Sequence, residues 1–423
     1  MKVRGTVRPP GDKSVTHRAL VLAAMSRGSV MLTGALTAAD TRSTAAALRS
    51  LGARVSPLRA GAAVTVEGRR WRSPEGTLDC GNSGTTARLL LGALAGQRLK
   101  ARLSGDASLR RRPMRRVTAP LRAMGATIEE ERGDGLPLTI AGGRLRGFSY
   151  HTPVASAQLK TALLLAGVGA GVPVTVSEPE RSRDHTERMF RHFGFDLRLS
   201  GKTVTLEGTG DRWPQLGSLE LPVPGDASSA AYLVGAAVLA EAGEAVLQGV
   251  GVNPTRTGFL EVLARMGAGV AREAERDAAG EPVADLVVGP ARLAATEVAA
   301  VEIPSLIDEV PLLAVLAARA EGETVFRSVG ELRVKESDRL GLIARNLRAL
   351  GVDAEAAHDD LTVVGTDQPP RGRVDTAGDH RLAMAFAVLG SLPGAAVELS
   401  ETASVGVSYP GFFDDLNRIG NDG

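Results

Sequence analysis

A sixfold repeat of two kinds of helical pattern constrains the fold of this chain more than any other feature. Patterns of small residues run up to one set of glycines, at Gly28, Gly96, Gly171, Gly243, Gly322 and Gly394. Amphipathic patterns run up to a second set, at Gly52, Gly125, Gly194, Gly267, Gly351 and Gly420. The two series alternate, and consecutive copies of either kind lie 68 to 84 residues apart. The chain is therefore predicted to repeat a unit of about 70 residues six times.

Each repeat is predicted to contain two helices and several strands. The glycines fit left-handed C-caps that end the helices, and β-branched runs at 175–179 and 202–208 are typical of strands. We therefore predict an α+β fold made of α/β repeat units. A chain of 423 residues exceeds what one hydrophobic core usually organises, so we expect two domains of three units each.

A proline-rich segment from Leu221 to Gly225 is the predicted crossover between the two domains. We expect one domain to comprise residues 13–224. The other is expected to comprise residues 225–423 together with residues 1–12, which return to it.

Composition restricts the class of protein. Hydrophobic residues make up 43% of the chain, and 50 Lys and Arg against 48 Asp and Glu leave a net charge of +2, which argues against a general nucleic-acid or membrane binder. Cys80 is the only cysteine, so no disulfide within the chain and no zinc cluster of cysteines is expected. The apolar stretch from Ala162 to Val176 is shorter than the roughly 20 residues that cross a bilayer. We expect a cytoplasmic protein without a membrane partner.

Polar and charged residues gather at the starts of the small-residue helices. The six segments are GDKSVTHR (11–18), CGNSGTTAR (80–88), SAQLK (156–160), GDASSAAY (225–232), IPSLIDEVP (303–311) and GDHRLAM (378–384). Ser, Asn and Gly at such places cap the helix or bind an anion, and capping alone explains Asp226 or Ser156. Lys13, Arg18 and Arg381 are cations near a helix end that is itself positive, so they indicate bound anions.

Three further clusters of charge leave alternatives open. The arginines of SLRRRPMRR (108–116) suit a solvated face, a nucleic-acid patch or a phosphate loop, and ELRVKESDRL (331–340) suits either a surface ion-pair face or a site. Asp308 and Glu309 enter a helix with a buried pattern, where an unpaired carboxylate is costly. The segment GDKS lacks the Gly-Lys adjacency of a P-loop, and the six histidines show no metal-ligand spacing, so no metal is expected.

Seven segments occur in a characteristic order along the chain. They are GDKSVTHR, CGNSGTTAR, RRRPM, SAQLKTALLLAG, PGDASSAAYLVGAA, LRVKESDRL and GDHRLAMAF. Together they resemble the EPSP synthase family, the 3-phosphoshikimate 1-carboxyvinyltransferases, from about residue 9 to residue 416. The resemblance implies two domains of three βαβαββ-like units each, with the active-site cleft between the domains.

The resemblance also implies an activity. Enzymes of this family transfer the enolpyruvyl group of phosphoenolpyruvate to the 5-hydroxyl of shikimate 3-phosphate and release phosphate, a step of the shikimate pathway of aromatic amino-acid biosynthesis. It further implies that the reaction needs no metal or organic cofactor and that the protein is a target of glyphosate. We also expect a monomer without a nucleic-acid partner.

The resemblance assigns the substrate contacts to particular residues. Contacts to shikimate 3-phosphate are implied for Lys13, Ser14, Arg18, Ser156, Ala157, Gln158, Asp308 and Lys335. Contacts to phosphoenolpyruvate are implied for Lys13, Gly84, Arg112, Gln158, Arg339 and Arg381. The implied catalytic residues are Asp308 as the proton acceptor, Glu336 as the proton donor, and Lys13, which touches both substrates.

Charge supports this assignment independently of the resemblance. Two phosphates and two carboxylates bring about 5 to 6 negative charges at neutral pH. Six cations among the implied residues match that charge, namely Lys13, Arg18, Arg112, Lys335, Arg339 and Arg381. One departure concerns phosphoenolpyruvate: many family members carry a lysine three residues before a proline near the C-terminus, whereas this chain has Val407 there.

Two other functions remain as alternatives. UDP-N-acetylglucosamine enolpyruvyl transferases share the fold, but they carry a cysteine in the loop before their Arg-Pro, and SLRRRPM has none. Cys80 lies at a predicted strand end, where a buried apolar thiol is expected rather than a nucleophile. An RNA-binding repeat protein could use the arginines of 110–116, but that patch has no interleaved aromatic residues for base stacking.

Overall fold

Both predicted kinds of helix occur six times in a computed structural model, which describes residues 2–210 and 214–420. The helices are α1 (Lys13–Ala24), α2 (Ala39–Ser50), α3 (Gly84–Ala95), α4 (Ala107–Arg111), α5 (Arg115–Met124), α6 (Ala157–Ala170), α7 (His185–His192), α8 (Ala227–Val238), α9 (Gly258–Arg265), α10 (Ile303–Leu306), α11 (Val310–Ala317), α12 (Arg339–Ala349), α13 (His380–Gly390) and α14 (Phe412–Gly420). The small-residue helices are α1, α3, α6, α8, α11 and α13. The amphipathic helices are α2, α5, α7, α9, α12 and α14, and α4 and α10 are short additions to the pattern.

Short strands separate the helices. They are β1 (Lys2–Val7), β2 (Arg27–Thr33), β3 (Arg54–Val55), β4 (Val64–Gly68), β5 (Leu78–Asp79), β6 (Lys100–Ser104), β7 (Thr127–Glu130), β8 (Leu138–Ala141), β9 (Phe148–His151), β10 (Val174–Ser177), β11 (Leu197–Ser200), β12 (Thr203–Leu206), β13 (Gln215–Pro222), β14 (Ala242–Gly251), β15 (Val270–Ala278), β16 (Glu281–Val288), β17 (Glu297–Val298), β18 (Glu323–Phe326), β19 (Asp353–Ala357), β20 (Asp360–Val364), β21 (Arg371–Val374) and β22 (Ala396–Leu399).

The strands of the described residues form five four-stranded sheets and one two-stranded sheet. Their strand orders are β1-β14-β16-β15, β13-β2-β4-β3, β5-β6-β8-β7, β9-β10-β12-β11, β17-β18-β20-β19 and β21-β22. In every sheet the first two strands are parallel, and in each four-stranded sheet the second and third strands are antiparallel. Each of the five four-stranded sheets with its two main helices is a βαβαββ unit, and the two-stranded sheet with α13 and α14 is a sixth, shorter unit. The prediction of six α/β repeat units is confirmed.

Two of the sheets take their first strand from a distant part of the chain. Strand β13 pairs with β2, with Leu221 opposite Leu32, and so completes the unit that begins with α1. Strand β1 pairs with β14, with Val3 opposite Gly243, and completes the unit that begins with α8. The first of these pairings joins the last strand before the crossover to the first strand after α1. The second joins the N-terminal strand to the first strand after α8.

The chain divides into two compact units. The Gly11–Val223 unit also includes the turn Ala278–Glu281, and the Pro224–Gly423 unit comprises Met1–Pro10, Pro224–Asp277 and Pro282–Gly423. The expected domains were residues 13–224 and residues 225–423 with 1–12. In the observed division, residues 11, 12 and 278–281 belong with the first of these domains, and residue 224 belongs with the second.

Each of the two compact units has its own hydrophobic core, in which the small-residue helices are the most buried elements. All twelve residues of α8 are buried. Small residues are needed because neighbouring helices approach closely: a Cβ on Gly92 of α3 would lie 2.1 Å from the carbonyl oxygen of Ala162 on α6. In the described part of the chain, no helix has the length and apolar character needed to cross a bilayer.

The expectation of a left-handed glycine cap at every helix end is only partly correct. Gly125 and Gly171 are left-handed C-caps, but Gly96 ends α3 with a φ of −79°. Gly28 has a positive φ, yet it lies in β2, beyond the end of α1. There a Cβ would lie 2.0 Å from the carbonyl oxygen of Gly217 on the paired strand, so close strand approach rather than capping requires the glycine.

Candidate active site

The start of α1 places a lysine beside a capped helix end. Asp12 is the N-cap, and its Oδ1 accepts a hydrogen bond of 2.8 Å from the amide of Val15. Lys13 Nζ lies 3.3 Å from Oδ2 of Asp40 on α2, and its side chain is 16% exposed. The cap is therefore supplied by the aspartate, and the predicted substrate-binding lysine stands next to it.

Arg18 is a buried cation, one turn of α1 after Ser14. Its guanidinium donates to Oγ1 of Thr186 at 2.8 Å, to Oγ1 of Thr161 at 3.0 Å and to the carbonyl of Ser14 at 3.0 Å. These acceptors are neutral. Burial lowers the pKa of Arg18 to about 10, while the charge of Asp12 acts in the opposite direction. The side chain stays protonated at neutral pH and supplies positive charge at this helix start.

The turn before α3 brings two arginines to a glycine. Ser83 caps α3, with its Oγ accepting from the amide of Thr86. A Cβ on Gly84 would lie 2.8 Å from Nη1 of Arg88 and 3.4 Å from Nη1 of Arg112, so both guanidinium groups lie directly over Gly84. Sequence analysis missed Arg88. The sequence feature that could have indicated Arg88 is its spacing of four residues from Gly84, which puts both residues on one helix face.

The arginine-rich segment divides into inward and outward members. Arg112 is only 8% exposed and donates from Nη2 to Oδ1 of Asn82 at 2.6 Å. Arg110, Arg111 and Arg115 are exposed. Of the three alternatives for this segment, the position of Arg112 favours an anion-binding loop.

The segment before and within the first turn of α6 links to α1 and α3. Ser156 caps the helix, as its simpler explanation predicted. The carbonyl of Ala157 accepts from Arg18 at 3.5 Å. Gln158 accepts from Arg88 Nη1 at 2.8 Å and donates to Oγ1 of Thr85 at 2.9 Å. The predicted residues of this unit are thus connected, and we call them the α1/α3/α6 cluster: Lys13, Ser14, Arg18, Gly84, Arg88, Arg112 and residues 156–158.

A buried ion-pair group supports this cluster from behind. Lys160 Nζ lies 2.7 Å from carboxylate oxygens of Glu178 and of Glu187, and all three side chains are at most 5% exposed. Burial acts to lower the pKa of Lys160, but the two carboxylates raise it overall. Glu178 also accepts from the amide of Ser156 and the hydroxyl of Ser182. The lysine of SAQLK therefore orders the chain around Ser156.

In the Pro224–Gly423 unit, Asp308 lies among three cations. Its Oδ1 is 3.5 Å from Nη1 of Arg339 and 4.0 Å from Nζ of Lys335, and its Oδ2 is 3.7 Å from Nη2 of Arg381. The Asp308 side chain is 13% exposed. Burial lowers the pKa of Lys335, with the charge of Asp308 acting in the opposite direction. Positive surroundings stabilise the charged form of a carboxylate, so this arrangement suits a base.

Arg339 is the buried centre of the same group. Its Nε donates to Oδ2 of Asp379 at 2.7 Å, and its Nη2 donates to Oε2 of Glu336. Burial acts to lower the pKa of Arg339, but Asp379 and Glu336 raise it overall. Burial acts to raise the pKa of Asp379, and the charge of Arg339 lowers it overall. Because Arg339 is only 1% exposed, a surface ion-pair face is the wrong interpretation of residues 331–340.

Arg381 is held by main chain and side chain together. Its Nη1 donates to the carbonyl of Asp308 at 3.1 Å and to the hydroxyl of Ser228 at 3.2 Å. Ser228 also contacts Glu309, which is fully buried and accepts from Arg256 at 3.1 Å through each oxygen. We call Asp308, Lys335, Glu336, Arg339 and Arg381 the Asp308 cluster.

Several members behind the Asp308 cluster were not found from the sequence. The sequence did contain an indication of Asp379, because this residue precedes Arg381 within the segment GDHR, in the position that caps α13. Arg256 lies in a loop without periodicity, and Ser228 stands out in the sequence only as part of a capping segment. Glu309 is costly in a buried helix unless it is paired, and its contact with Arg256 supplies the pair.

Cys80 is fully buried. Burial raises the pKa of its thiol to about 12, so little thiolate forms at neutral pH. The expectation of a buried apolar thiol is confirmed.

The repeat architecture and the two clusters define a class: an α/β repeat protein that binds small polyanions and has carboxyl groups placed among the binding cations. Comparison with known proteins narrows this class. A sequence model of a family described as EPSP synthase (3-phosphoshikimate 1-carboxyvinyltransferase) matches residues 1–416. This chain belongs to the EPSP synthase family.

Relatives and solved structures agree with that membership. A 3-phosphoshikimate 1-carboxyvinyltransferase of Thermus thermophilus is 51% identical, over 99% of this chain and 96% of the relative. A solved EPSP synthase of Acinetobacter baumannii has a TM-score of 0.86 and 39% identity, over 99% of this chain and 96% of that chain. The enolpyruvyl transferase NikO of Streptomyces tendae, with a TM-score of 0.78 and 21% identity over 100% of this chain and 96% of that chain, shares the fold.

Proposed function

We propose that the α1/α3/α6 cluster and the Asp308 cluster carry out one reaction together. As a member of its family, the chain transfers the enolpyruvyl group of phosphoenolpyruvate to the 5-hydroxyl of shikimate 3-phosphate. The products are 5-enolpyruvylshikimate 3-phosphate and phosphate. The observation that carries the proposed use of both clusters is their charge. The α1/α3/α6 cluster has four cations and the Asp308 cluster has three, and together they match the about 5 to 6 negative charges of the two substrates.

Shikimate 3-phosphate is assigned to the α1 and α6 side of the first cluster. Arg18 supplies a buried positive charge there, and Ser14 and residues 156–158 supply polar groups around helix N-termini, which favour phosphate. Lys13 is assigned to both substrates. Lys335 is assigned to shikimate 3-phosphate from the Asp308 cluster.

Phosphoenolpyruvate is assigned to Gly84 and to the arginines. Because Gly84 has no side chain, the guanidinium groups of Arg88 and Arg112 lie directly over its backbone, and these groups are assigned to bind a phosphate or carboxylate. Arg339 and Arg381 are assigned to clamp its carboxylate and phosphate from the other cluster. Planar guanidinium groups suit such bidentate contacts.

Two carboxyl groups divide the proton transfers. Glu336, in its protonated form, gives a proton to the methylene carbon of phosphoenolpyruvate, and C2 becomes electrophilic. The 5-hydroxyl attacks C2 while Asp308, kept ionised by three cations, accepts the hydroxyl proton. The tetrahedral adduct then loses phosphate, which takes the proton from Asp308, and the Glu336 carboxylate takes up one methyl proton, so the double bond is restored. The side chain of Glu336 is 26% exposed and lies against Arg339, a neighbour that favours the charged carboxylate, so the proposal requires Glu336 to gain its proton before the reaction.

We further propose that the protein acts as a monomer in the cytoplasm, without a nucleic-acid or membrane partner and without a metal or organic cofactor. The balanced charge of the whole chain supports the absence of a nucleic-acid or membrane partner.

The test is phosphate release from phosphoenolpyruvate with three alternative second ligands. We expect release with shikimate 3-phosphate, and none above background with UDP-N-acetylglucosamine or RNA. Release with UDP-N-acetylglucosamine alone would contradict the proposed acceptor.

A further inference from the structure

A chain of buried hydrogen bonds joins three helices of the Gly11–Val223 unit. His17 on α1 contacts Oγ1 of Thr44 on α2 through Nδ1 at 2.7 Å. The Thr44 hydroxyl lies 2.6 Å from Oγ1 of Thr86 on α3, and Thr86 Oγ1 donates to Oγ of Ser83 at 2.8 Å. All four residues are 0% exposed, and none is among the substrate contacts assigned above. The structure therefore holds a continuous polar connection that the proposed chemistry does not use.

The number of available protons fixes the direction of this chain. Each hydroxyl has one proton to donate, and Thr86 directs its proton towards Ser83, with the carbonyl of Asp40 as a second acceptor at 3.4 Å. Thr44 must then donate to Thr86, and Nδ1 of His17 must donate to Thr44. In this arrangement Nδ1 of His17 carries a proton.

The surroundings of His17 agree with a neutral ring. Its Nε2 is buried and has no hydrogen-bond partner among residues 2–210 and 214–420. Burial, and after it the charges of Lys13 and Arg18, lower the pKa of His17 well below its ordinary value. A second ring proton would therefore stand buried next to two cations.

The two ends of the chain lie at the two assigned subsites of the unit. His17 directly precedes Arg18 on α1. Ser83 directly precedes Gly84, and its Oγ accepts from both the hydroxyl and the amide of Thr86. The position of the Gly84 turn is thus tied to α1 through side chains, in addition to the packing of the helices.

We propose that His17, Thr44, Thr86 and Ser83 are positioning residues that fix the Gly84 turn, and with it the phosphoenolpyruvate subsite, against the helix assigned to shikimate 3-phosphate. This inference rests on the proposed function. None of the four residues touches a reacting atom in it, so they act through Gly84 and the arginines above it.

The kinetic test removes the central hydroxyl. Thr44→Val keeps the side-chain shape and interrupts the chain. We expect the Michaelis constant for phosphoenolpyruvate to rise at least about fivefold while that for shikimate 3-phosphate changes less than about twofold. Thr44→Ser should restore the parent value, because it returns the hydroxyl.

Thr41→Val is the matched control. Thr41 lies on the same helix as Thr44 and is 0% exposed. It donates to the carbonyls of Leu36 and Ala38, which are not part of the hydrogen-bond series from His17 to Ser83. It should lower the melting temperature, as the loss of a buried hydrogen bond does, and leave both Michaelis constants unchanged. Equal changes of both constants in Thr44→Val, no change in either, or the same kinetic effect in Thr41→Val would overturn the proposal.

A second measurement does not depend on activity. Long-range ¹H–¹⁵N spectra report which ring nitrogen carries the proton, with the His17 signals assigned by their loss in His17→Asn. We expect protonation at Nδ1 in the parent and a shift towards Nε2 in Thr44→Val. An Nε2–H ring in the parent would overturn the deduced direction of the chain. A parent that releases no phosphate would instead count against the proposed function, while the spectra still decide the order of the hydrogen bonds.

Discussion

Replacing Gly84 by alanine tests the phosphoenolpyruvate subsite with a single methyl group. The φ of Gly84 lies outside the left-handed region, so the backbone accepts alanine without strain. The new Cβ would meet Nη1 of Arg88 at 2.8 Å and Nη1 of Arg112 at 3.4 Å. The obstacle to the methyl group is therefore the two guanidinium groups rather than the turn.

The size of the effect follows from the movement that Arg88 must make. An ordinary contact begins at 3.4 Å, so Nη1 must retreat by roughly 0.6 Å from the new Cβ. That movement weakens its hydrogen bond of 2.8 Å to Gln158. A hydrogen bond to a charged group contributes about 1.5–3 kcal/mol, and about 1.4 kcal/mol corresponds to a tenfold change in affinity.

Glyphosate should be affected more than the substrate. It is an extended anion with a phosphonate and a carboxylate and is longer than phosphoenolpyruvate, so we expect it to extend into the space that the methyl group would enter. We expect Gly84→Ala to raise the glyphosate inhibition constant at least about tenfold and the Michaelis constant for phosphoenolpyruvate less than about threefold. In the parent, inhibition should be competitive with phosphoenolpyruvate.

Both constants are measured by phosphate release in the parent, in Gly84→Ala and in Gly143→Ala. Gly143 is the matched control, because a Cβ there meets nothing within 4 Å. Equal fold-changes of the two constants in Gly84→Ala would refute the steric reasoning. A parent that glyphosate does not inhibit would refute the expected sensitivity.

Three further predictions concern the acid and base, a missing cation and the thiol. Asp308→Ala and Glu336→Gln should each lower kcat by about 10²–10⁴-fold while melting near the parent temperature, and a variant that keeps most of its turnover would remove that residue from the mechanism. Val407→Lys should lower the Michaelis constant for phosphoenolpyruvate and leave that for shikimate 3-phosphate unchanged; no change in either would show that a cation is not needed there. Cys80, with its pKa raised by burial to about 12, should stay unreactive towards a disulfide reagent at pH 8 in the folded protein and react once unfolded; rapid reaction of the folded protein would contradict the burial.

The sequence predicted the repeat and the return of residues 1–12 to the second domain, but it did not predict which strands pair to complete the first repeat of each domain. Alternating helices that end at glycines are a pattern that can be seen locally in the sequence. The small residues of this pattern are needed because the backbones of helices such as α3 and α6 lie close to one another. The pairing of β13 with β2 and of β1 with β14 joins residues far apart in the chain. Such pairing depends on tertiary packing, so no local pattern predicts it.

The sequence likewise located the assigned residues better than their partners. Lys13, Arg18 and Arg381 stood out because a cation at a helix start needs an explanation. The groups that hold the assigned residues in place, such as Glu309 for Arg381 and Glu178 for Ser156, come from other elements. Their spacing in the sequence carries no information about contact, and only the fold brings them together.

Enolpyruvyl transfer by protonation, addition and elimination is tested most directly by the reaction in D₂O. Equimolar enzyme, shikimate 3-phosphate and phosphoenolpyruvate are allowed one turnover, and the product is analysed by mass spectrometry. Because the methylene carbon becomes a methyl group and then loses a proton, we expect 5-enolpyruvylshikimate 3-phosphate that carries solvent deuterium in its vinyl group. Product without deuterium, or phosphate release without this product, would contradict the mechanism assigned to Glu336 and Asp308.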